Sequence, residues 1–534
     1  SDYCERVVSR FVRKVRTASG AVAVQIITRA SGVVLSIEHV GSAHDDAELS
    51  LLLLAAEERL SPGQEAFELG DLPRVAASVT RIADWTEPKA LKVPASRGRP
   101  PVVAGGGRLI GTSSVLLWET LKDAYSRLGF EELGDDAFRA MVLARLIEPT
   151  SKADTLRVLS EIGAPTPSLR TLFRSLERCG RREYRDQIAR ACLAYSTRAS
   201  GLAALVMYDV TTLHFERDDE DQLRKVGMSK ERRADPQVQV GLLVDPGGFP
   251  LEVHLFEGNK AETKTIVPVL EAFQARHGVT DLVVVADAGM LSAANLNALE
   301  DAGFSFIVGS RLTKAPYDLA DHFASKGDAF TDGQILESTR VMDFKGDGRE
   351  RRIVYQWLFK RHKRDDRNIN LMIERAERIA AGKSAARQAR FLKVTGGTTS
   401  LNETTIARAR QLAGLKGYVT NLPATALSGE AVIAAYHDLW QVEASFRMTK
   451  NDLRARPVFH HQRDAIEAHL TVVFAALAVS RYLTTTTGQS LKKIIRTLRA
   501  VHTATIEVNG QRLTLDQAPN DTANAILTAL ETGH

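Results

Sequence analysis

The sequence predicts a mixed α/β protein built from several domains. Its 534 residues are more than one hydrophobic core usually serves, so more than one domain is expected. Between residues 201 and 311, apolar strand-like runs alternate with helical segments, which is the pattern of an α/β sheet. A helical block precedes this region, and strand-like segments with turn signals occur near both ends of the chain.

Composition is that of an ordinary globular protein, with 44% hydrophobic and 25% charged residues. The net charge of +5 permits nucleic-acid binding but does not demand it. The three cysteines form no CxxC pair, which argues against a disulfide scaffold and against a structural zinc site. Because the chain shows neither a signal core nor an apolar run of the roughly 18 residues that a membrane span needs, we expect a cytoplasmic protein without membrane contact.

Changes in pattern divide the chain into seven segments. A β-meander plus a helix (49–60) is predicted within residues 1–92, a proline- and glycine-rich linker at 93–112, and helices over 113–200, where Pro149 ends one helix and Thr150 or Ser151 caps the next. The α/β pattern occupies residues 201–311, strand-like pieces and a basic helix follow at 312–425, two helices at 426–484, and a hairpin with a helix at 485–534.

Two acidic residues follow buried strand-like runs. Asp209 ends the run LAALVMYDV, and Asp287 ends the run DLVVVADAGM. Side chains at the carboxyl ends of buried strands meet at the sheet edge where ligands gather in open α/β folds. A single Asp after a strand is most often a turn or capping residue. The two residues therefore indicate a binding site only if further acidic residues lie nearby.

A third acid, Glu443, lies in the helical segment YHDLWQVEASFRMTK. Tyr436 and Lys450 are each seven residues from Glu443, nearly two helical turns, so the three are expected on one helix face. Leu439 and Arg447, at i−4 and i+4, share that face. Three carboxylates suit a hard divalent cation, while the tyrosine hydroxyl, lysine and arginine are groups that bind phosphate.

The stretch from Lys345 to Lys393 is strongly basic. It contains fifteen Lys/Arg and six Asp/Glu, a surplus of 15 − 6 = 9 positive charges. A patch of this density is a reasonable phosphate-binding footprint, and a solvated charged helix is an equally good interpretation. Its densest part contains four candidate DNA contacts, Lys360, Arg361, Lys363 and Arg364.

On these residues the chain resembles the DDE transposases of bacterial insertion sequences, specifically the IS-four-like group and its IS-sixteen-thirty-four-type branch. The group's signature on the third-acid helix is Tyr, two residues, Arg, three residues, Glu, six residues, Lys. This chain has Tyr436, Glu443 and Lys450 in that spacing, with Leu439 in place of the Arg. Similar segments occur along nearly the full length, among them YDVTTLHFE, FEGNKAETKT, ADAGMLSAANL and LIEPTSK.

The resemblance implies a ribonuclease-H-like catalytic core interrupted by a β-rich insertion domain. The gap from the second to the third acid, 443 − 287 = 156 residues, agrees with such an insertion at 312–425. It also implies that Asp209, Asp287 and Glu443 bind two Mg²⁺ or Mn²⁺ ions, and that Tyr436 and Lys450 contact DNA. Arg447, one turn beyond Glu443, is a candidate DNA contact that substitutes for the arginine missing at position 439. The expected partners are double-stranded DNA with terminal inverted repeats, target DNA and a second copy of the chain in a synaptic complex at the bacterial nucleoid.

Two other functions fit the same residues. A nuclease of this fold that cuts DNA without strand transfer would use the same acids. A non-catalytic DNA-binding protein descended from a transposase is supported by Leu439 and opposed by the three intact acids.

Overall fold

The chain forms two compact units, Ser1–Pro100 and Pro101–His534. The computed structural model describes residues 8–16, 22–30, 33–43, 108–201, 205–215, 219–227, 235–290, 292–310, 319–327, 329–382, 390–395, 398–456, 458–460, 462–508 and 511–532. The predicted helix at 49–60 lies outside these residues.

The first unit contains a three-stranded antiparallel sheet in the order β1-β2-β3. Its strands are β1 (Val8–Arg16), β2 (Val22–Ala30) and β3 (Val33–Ala43). Val24 and Ile26 alternate along β2 and are both buried, whereas Leu35 and Ile37 of β3 are exposed. Ile27, whose side chain points to the opposite face of β2 from Ile26, is also buried, so both faces of this central strand contribute to the apolar packing.

The second unit begins with a short strand and five helices. They are β4 (Arg108–Ser113), α1 (Val115–Arg127), α2 (Asp136–Ile147), α3 (Lys152–Ile162), α4 (Leu169–Arg181) and α5 (Tyr184–Ser200). Helix α2 ends two residues before Pro149, and the Ser151 hydroxyl accepts the Asp154 N–H at 3.1 Å as the cap of α3. The predicted stop and the predicted serine cap are therefore confirmed.

A mixed sheet follows, with helices between its later strands. Its elements are β5 (Leu205–His214), β6 (Gln237–Val244), β7 (Pro250–Glu257), α6 (Ile266–His277), β8 (Val283–Ala286), α7 (Ala293–Asp301) and β9 (Ser305–Ser310). Strands β5, β6 and β7 form an antiparallel meander, whereas β8 is parallel to both β5 and β9. Every residue of β6 is buried because the sheet is covered on both faces.

The segment predicted as an insertion contributes eight elements. They are α8 (Ala320–Lys326), β10 (Ile335–Phe344), β11 (Asp347–Trp357), α9 (Phe359–Ala380), β12 (Leu392–Thr395), β13 (Thr398–Leu401), α10 (Glu403–Gln411) and β14 (Leu415–Thr420). Strand β14 pairs with β9, and β11 pairs with β14, so the sheet reads β10-β11-β14-β9-β8-β5-β6-β7. The structure thus differs from a wholly separate insertion, since three of its strands extend the central sheet.

The rest of this segment has its own small core. Helices α9 and α10 pack around a cluster that includes Ile369, Ala376 and Phe391, separate from the main apolar core. The inserted segment therefore has two parts, a sheet extension and a helical lobe beside it.

The last part of the chain returns to the sheet and then to the helical block. Its elements are α11 (Gly429–His437), α12 (Trp440–Arg447), α13 (Arg463–Thr487), α14 (Leu491–Arg499), β15 (Thr503–Val508), β16 (Gln511–Asp516) and α15 (Asp521–Thr532). By length and composition α13 could cross a membrane, with a mean hydropathy of 1.4 over an 18-residue window, but 89% of that window is buried inside the fold. It packs against α2 and α4 as a core helix.

Strands β15 and β16 pair antiparallel, with Val508 opposite Gln511, and the turn predicted at Asn509–Gly510 lies outside the described residues. Strand β15 also pairs with β4, Thr503 opposite Ser113. Residues 108–112, predicted as linker, are therefore part of a strand. The sequence did not reveal this strand because its partner lies almost 400 residues away along the chain.

Candidate active site

The two strand-associated acids lie side by side on neighbouring parallel strands. The register of β5 and β8 pairs Tyr208 with Ala286; Asp209 is the next residue of β5, and Asp287 is the first residue after β8. In-register residues of parallel strands point to the same face of a sheet. Asp209 is half-buried and Asp287 is exposed. Both acids therefore lie directly after the last paired residues of β5 and β8, where the apolar runs that precede them end.

The position of Asp209 differs in one respect from the prediction. Asp209 does not follow β5 but lies inside it, paired with Leu242 of β6, and the strand continues to His214. The antiparallel partner β6 keeps β5 extended beyond the point where its parallel neighbour β8 ends. Asp209 thus lies at the edge of the β5–β8 pair while its backbone stays within the sheet, which restricts its motion.

Tyr436 is in direct contact with the second acid. Its hydroxyl donates a hydrogen bond of 3.1 Å to Asp287 Oδ1, which also accepts the Ala288 N–H at 2.6 Å. Burial raises the pKa of Tyr436, and the negative charge of Asp287 raises it further. The hydroxyl therefore remains protonated at neutral pH and acts as a donor to the carboxylate.

Three neighbours hold the ring of Tyr436 in place. Tyr418 packs edge-on against it with the ring centroids 5.0 Å apart, and Lys416 Nζ lies 5.0 Å from the Tyr436 centroid, a cation–π distance. The ring also lies directly over Gly309 of β9. Burial and the charge of Arg361 lower the pKa of Lys416, an effect that Asp287 opposes.

Lys416 was not predicted from sequence. It belongs to the predicted strand KGYVTNL, but local periodicity does not tell which strand lies next to it. Only the pairing of β14 with β9 brings it close to Asp287.

Glu443 is exposed in the first turn of α12, and this helix packs against β5 and β6. The preceding helix, α11, carries Tyr436 to Asp287, so α11 and the two aspartates share one face of the sheet. On the opposite face, the Tyr208 hydroxyl donates to Thr265 Oγ1 at 2.8 Å. Helix α12, which carries Glu443, therefore directly follows α11, whose Tyr436 contacts Asp287.

Within the described ranges, no three His, Cys, Asp or Glu side chains are close enough together to hold a metal ion. Asp209, Asp287 and Glu443 therefore do not form a ready-made cluster in this part of the chain. The donor types themselves fit a hard divalent cation, because all three are carboxylates.

The helix of the third acid is interrupted twice. Hydrogen bonds of the i→i+3 type tighten the turn between α11 and α12, such as Leu439 N–H to the Tyr436 carbonyl at 3.2 Å. After α12, residues Met448–Asp452 form a π-helix, closed by the Leu453 N–H on the Met448 carbonyl at 3.0 Å. The structure therefore has three helical segments where the spacing predicts one.

These interruptions distribute the predicted phosphate-binding residues over different segments. Tyr436 belongs to α11, Arg447 is exposed at the end of α12, and Lys450 is half-buried in the π-helix. Leu439 is only 8% exposed and belongs to the main apolar core. π-Helical turns are frequent at functional sites, because the extra residue per turn redirects the side chains.

The four basic residues at the start of α9 have different surroundings. Arg361 lines a cavity with Ala288, Ser310 and Lys416, next to Asp287. Lys363 lies on another side of the helix, with Nζ 4.7 Å from the Phe359 ring centroid. Lys360 and Arg364 are exposed, and Arg364 Nη2 is 3.5 Å from Asp365 Oδ1. Of the four, Arg361 is the one that lines the cavity beside the aspartates.

A separate cationic cluster lies where the segment after the π-helix meets α3. The Val458 N–H donates to the His214 carbonyl at the end of β5, and Lys152 Nζ is 2.6 Å from His460 Nε2. Burial, with the nearby charge of Arg145, lowers the pKa of Lys152 to about 7.

Comparison with known proteins gives one family match. A model described as "Transposase DDE domain" matches residues 201–479, from the start of β5 into α13. No curated protein matches the chain. Among solved structures, a piggyBac transposase synaptic complex with hairpin DNA has 11% identity and a TM-score of 0.36, covering 70% of each chain. A Mos1 transposase paired-end complex with the left transposon end has 12% identity and a TM-score of 0.15, covering 40% of this chain and 60% of that one.

Proposed function

Because the family match spans more than half of its length, this chain belongs to the transposase DDE-domain family, and we propose that it cuts transposon ends and joins the 3′-hydroxyl to target DNA. The observation that carries this proposal is the parallel pairing of β5 with β8 up to Tyr208 and Ala286, the residues immediately before Asp209 and Asp287. Residues held on strands are positioned more precisely than residues on loops, which supports a site at this edge of the sheet.

Several finer assignments belong to the same proposal. The ribonuclease-H-like core consists of β5–β9 with α11–α13, the segment 312–425 is the insertion, and the helices at 113–200 bind DNA. The chain belongs to the IS-four-like group, acts on DNA at the bacterial nucleoid and pairs with a second copy when two DNA ends are held together. The sheet order β7-β6-β5-β8-β9, with both aspartates at its centre, supports the core assignment.

Asp209, Asp287 and Glu443 would hold two Mg²⁺ or Mn²⁺ ions. Such ions lower the pKa of a bound nucleophile and stabilise the leaving oxygen of an in-line phosphoryl displacement. The chain's own residues would position the reactants. Tyr436 orients the Asp287 carboxylate through its hydroxyl, which donates at 3.1 Å.

Positively charged residues would hold the DNA backbone beside the acids. Arg447 is exposed one turn after Glu443, and Lys450 follows in the π-helix. Lys360, Arg361, Lys363 and Arg364 would extend this contact along α9. Such contacts bind phosphates without reading the base sequence.

The test is cleavage of supercoiled DNA that carries the element's own ends, with Mg²⁺ and with EDTA. We expect Asp209→Asn, Asp287→Asn and Glu443→Gln to abolish cleavage, because each removes a charged oxygen ligand. Asp281→Asn is the matched control, since Asp281 is exposed at the opposite end of β8 and should leave cleavage unchanged. Cleavage by the three variants at the parent's rate would refute the assignment of the acids.

The same assay separates the proposed function from a nuclease that shares the fold. A transposase should also yield molecules in which the cut 3′-end is joined to a second plasmid. Cut ends that never become joined would favour the nuclease, and DNA binding without any cleavage would favour a non-catalytic descendant.

A further inference from the structure

A cavity of about 380 Å³ separates the central sheet from the helical lobe of the inserted segment. On the sheet side it is lined by Ala288, Ser310 of β9 and Lys416 of β14. On the other side it is lined by Arg361 of α9, and Arg390 lies at the end of the lobe. Because Ala288 directly follows Asp287, the cavity opens beside the acid pair.

The lining of this cavity has a surplus of positive charge. Lys416, Arg361 and Arg390 contribute three cations, and Asp365 is the acid that faces them. Asp365 is already engaged, since its Oδ2 accepts the Gly414 N–H at 3.2 Å and its Oδ1 is 3.5 Å from Arg364 Nη2. One carboxylate shared in this way does not neutralise three cations.

Arg361, which lines the cavity, has one donor without a good acceptor. Its buried Nε–H donates no hydrogen bond within the described part of the chain, although Asp365 Oδ2 is 3.5 Å away. The Arg361 side chain as a whole is 32% exposed, so it is accessible to an anion that enters from solvent. A guanidinium presents several parallel N–H groups, a geometry that fits phosphate oxygens.

We propose that Lys416, Arg361 and Arg390 form a binding site for a backbone phosphate of the DNA strand next to the bond that is cut. The inference rests on the proposed function and adds a ligand class and two residues, Lys416 and Arg390. The cavity is larger than one phosphate group, and its walls also include Ile369, Met372 and Leu415, which would pack against the attached sugar. Cations with neighbouring apolar contacts fit a nucleotide unit better than a free inorganic ion.

The route from the cavity to the acids passes through Tyr436. Lys416 Nζ lies over the Tyr436 ring at 5.0 Å, and the hydroxyl of the same ring donates to Asp287 at 3.1 Å. A phosphate held by Lys416 would therefore lie next to the ring whose hydroxyl contacts Asp287. In this position Lys416 is a binding residue that fixes where the strand enters the site.

The test measures binding and not cleavage, so that it does not depend on catalysis. The full chain carrying Asp287→Asn is titrated with a labelled oligonucleotide of the transposon end, without metal, from 50 to 200 mM salt. We expect Lys416→Gln and Arg390→Gln each to weaken binding about 5- to 10-fold and to reduce the salt slope by about 0.7–0.9, one phosphate contact. The control is Arg378→Gln, which removes an exposed cation of α9 outside the cavity and should change binding less than about twofold.

Two further measurements, a charge-conserving variant and a competition with phosphate, distinguish the possible outcomes. Arg390 is exposed, so its replacement leaves the fold intact, and Lys416→Arg keeps the charge and should retain most of the binding. Inorganic phosphate at millimolar concentration tests whether a free anion is the ligand; strong competition by phosphate alone, with DNA binding unaffected by the variants, would overturn the proposal. Equal salt slopes for the parent, Lys416→Gln and Arg390→Gln would also overturn it, even if the parent cleaves DNA as expected.

Discussion

Gly309 of β9 is predicted to be essential for the placement of Tyr436. A Cβ atom at position 309 would lie 2.7 Å from Cζ and 2.9 Å from Cε2 of Tyr436, and closer still to its hydroxyl. Carbon atoms in real structures do not approach this closely, so the ring has to move in Gly309→Ala. Tyr418 packs against the ring at 5.0 Å, which leaves it little room to move without disturbing β14.

Two effects should follow from Gly309→Ala. Overpacking of this kind typically costs about 1–3 kcal/mol of folding free energy. Displacement of the ring also removes the hydrogen bond of 3.1 Å to Asp287, a contact to a charged group for which about 1.5–3 kcal/mol is typical. Because Asp287 is exposed, we expect the lower end of the second range and a reduced cleavage rate.

A double-mutant cycle tests this reasoning through chemical denaturation. Tyr436→Ala removes the ring, so Gly309→Ala should cost nothing further in that background, and the coupling free energy should be about 1 kcal/mol or more. In Tyr436→Phe the ring carbons remain within 2.9 Å of the new Cβ, so the overpacking cost of Gly309→Ala should persist, whereas the hydrogen-bond contribution is already lost. Gly111→Ala is the control, because nothing lies within 4 Å of a Cβ there. Additive effects of Gly309→Ala and Tyr436→Ala would refute the predicted clash.

Two further predictions concern the buried side chains of Lys152 and Leu439. Because burial lowers the pKa of Lys152 from 10.5 to about 7, the unfolded chain binds more protons between these values, and stability should rise with pH from about 7 upward. Melting curves at pH 6–9 should show this rise in the parent and a flatter profile in Lys152→Met; identical profiles would contradict it. Leu439→Arg should lower stability by about 3 kcal/mol or more, because it places an unpaired charge at a buried position. Leu439→Met should cost less than about 1.5 kcal/mol, and tighter DNA binding by Leu439→Arg without a loss of stability would count against the buried placement.

Features set by neighbouring residues could be predicted from the sequence. The apolar runs before Asp209 and Asp287 indicate buried strands, and the structure pairs these strands in register. The stop at Pro149 and the cap at Ser151 follow from the missing proline N–H and from the serine hydroxyl. In each case, the physical cause lies within a few residues of its effect.

Features set by distant pairing could not be predicted. Strand β4 was predicted as linker because its pairing partner, β15, is distant in sequence. Residues 312–425 were predicted as a separate insertion because local periodicity does not reveal that β14 pairs with β9. The interruptions around α12 were also missed. The spacing of Tyr436, Glu443 and Lys450 fits one regular helix, but packing against the sheet tightens one turn and widens another.

The pairing of β14 with β9 has a consequence for the proposed chemistry. Tyr418 lies opposite Gly309 in this ladder, which holds Lys416 near the end of β8 and therefore near Asp287. Leu439 is buried in the core, so position 439 does not supply a phosphate contact here. Lys416 and Arg361 supply positive charge on the same side of Tyr436, from elements of the inserted segment. Residues 312–425 therefore contribute to the proposed DNA-binding site, because β14 pairs with β9 and brings Lys416 near Asp287.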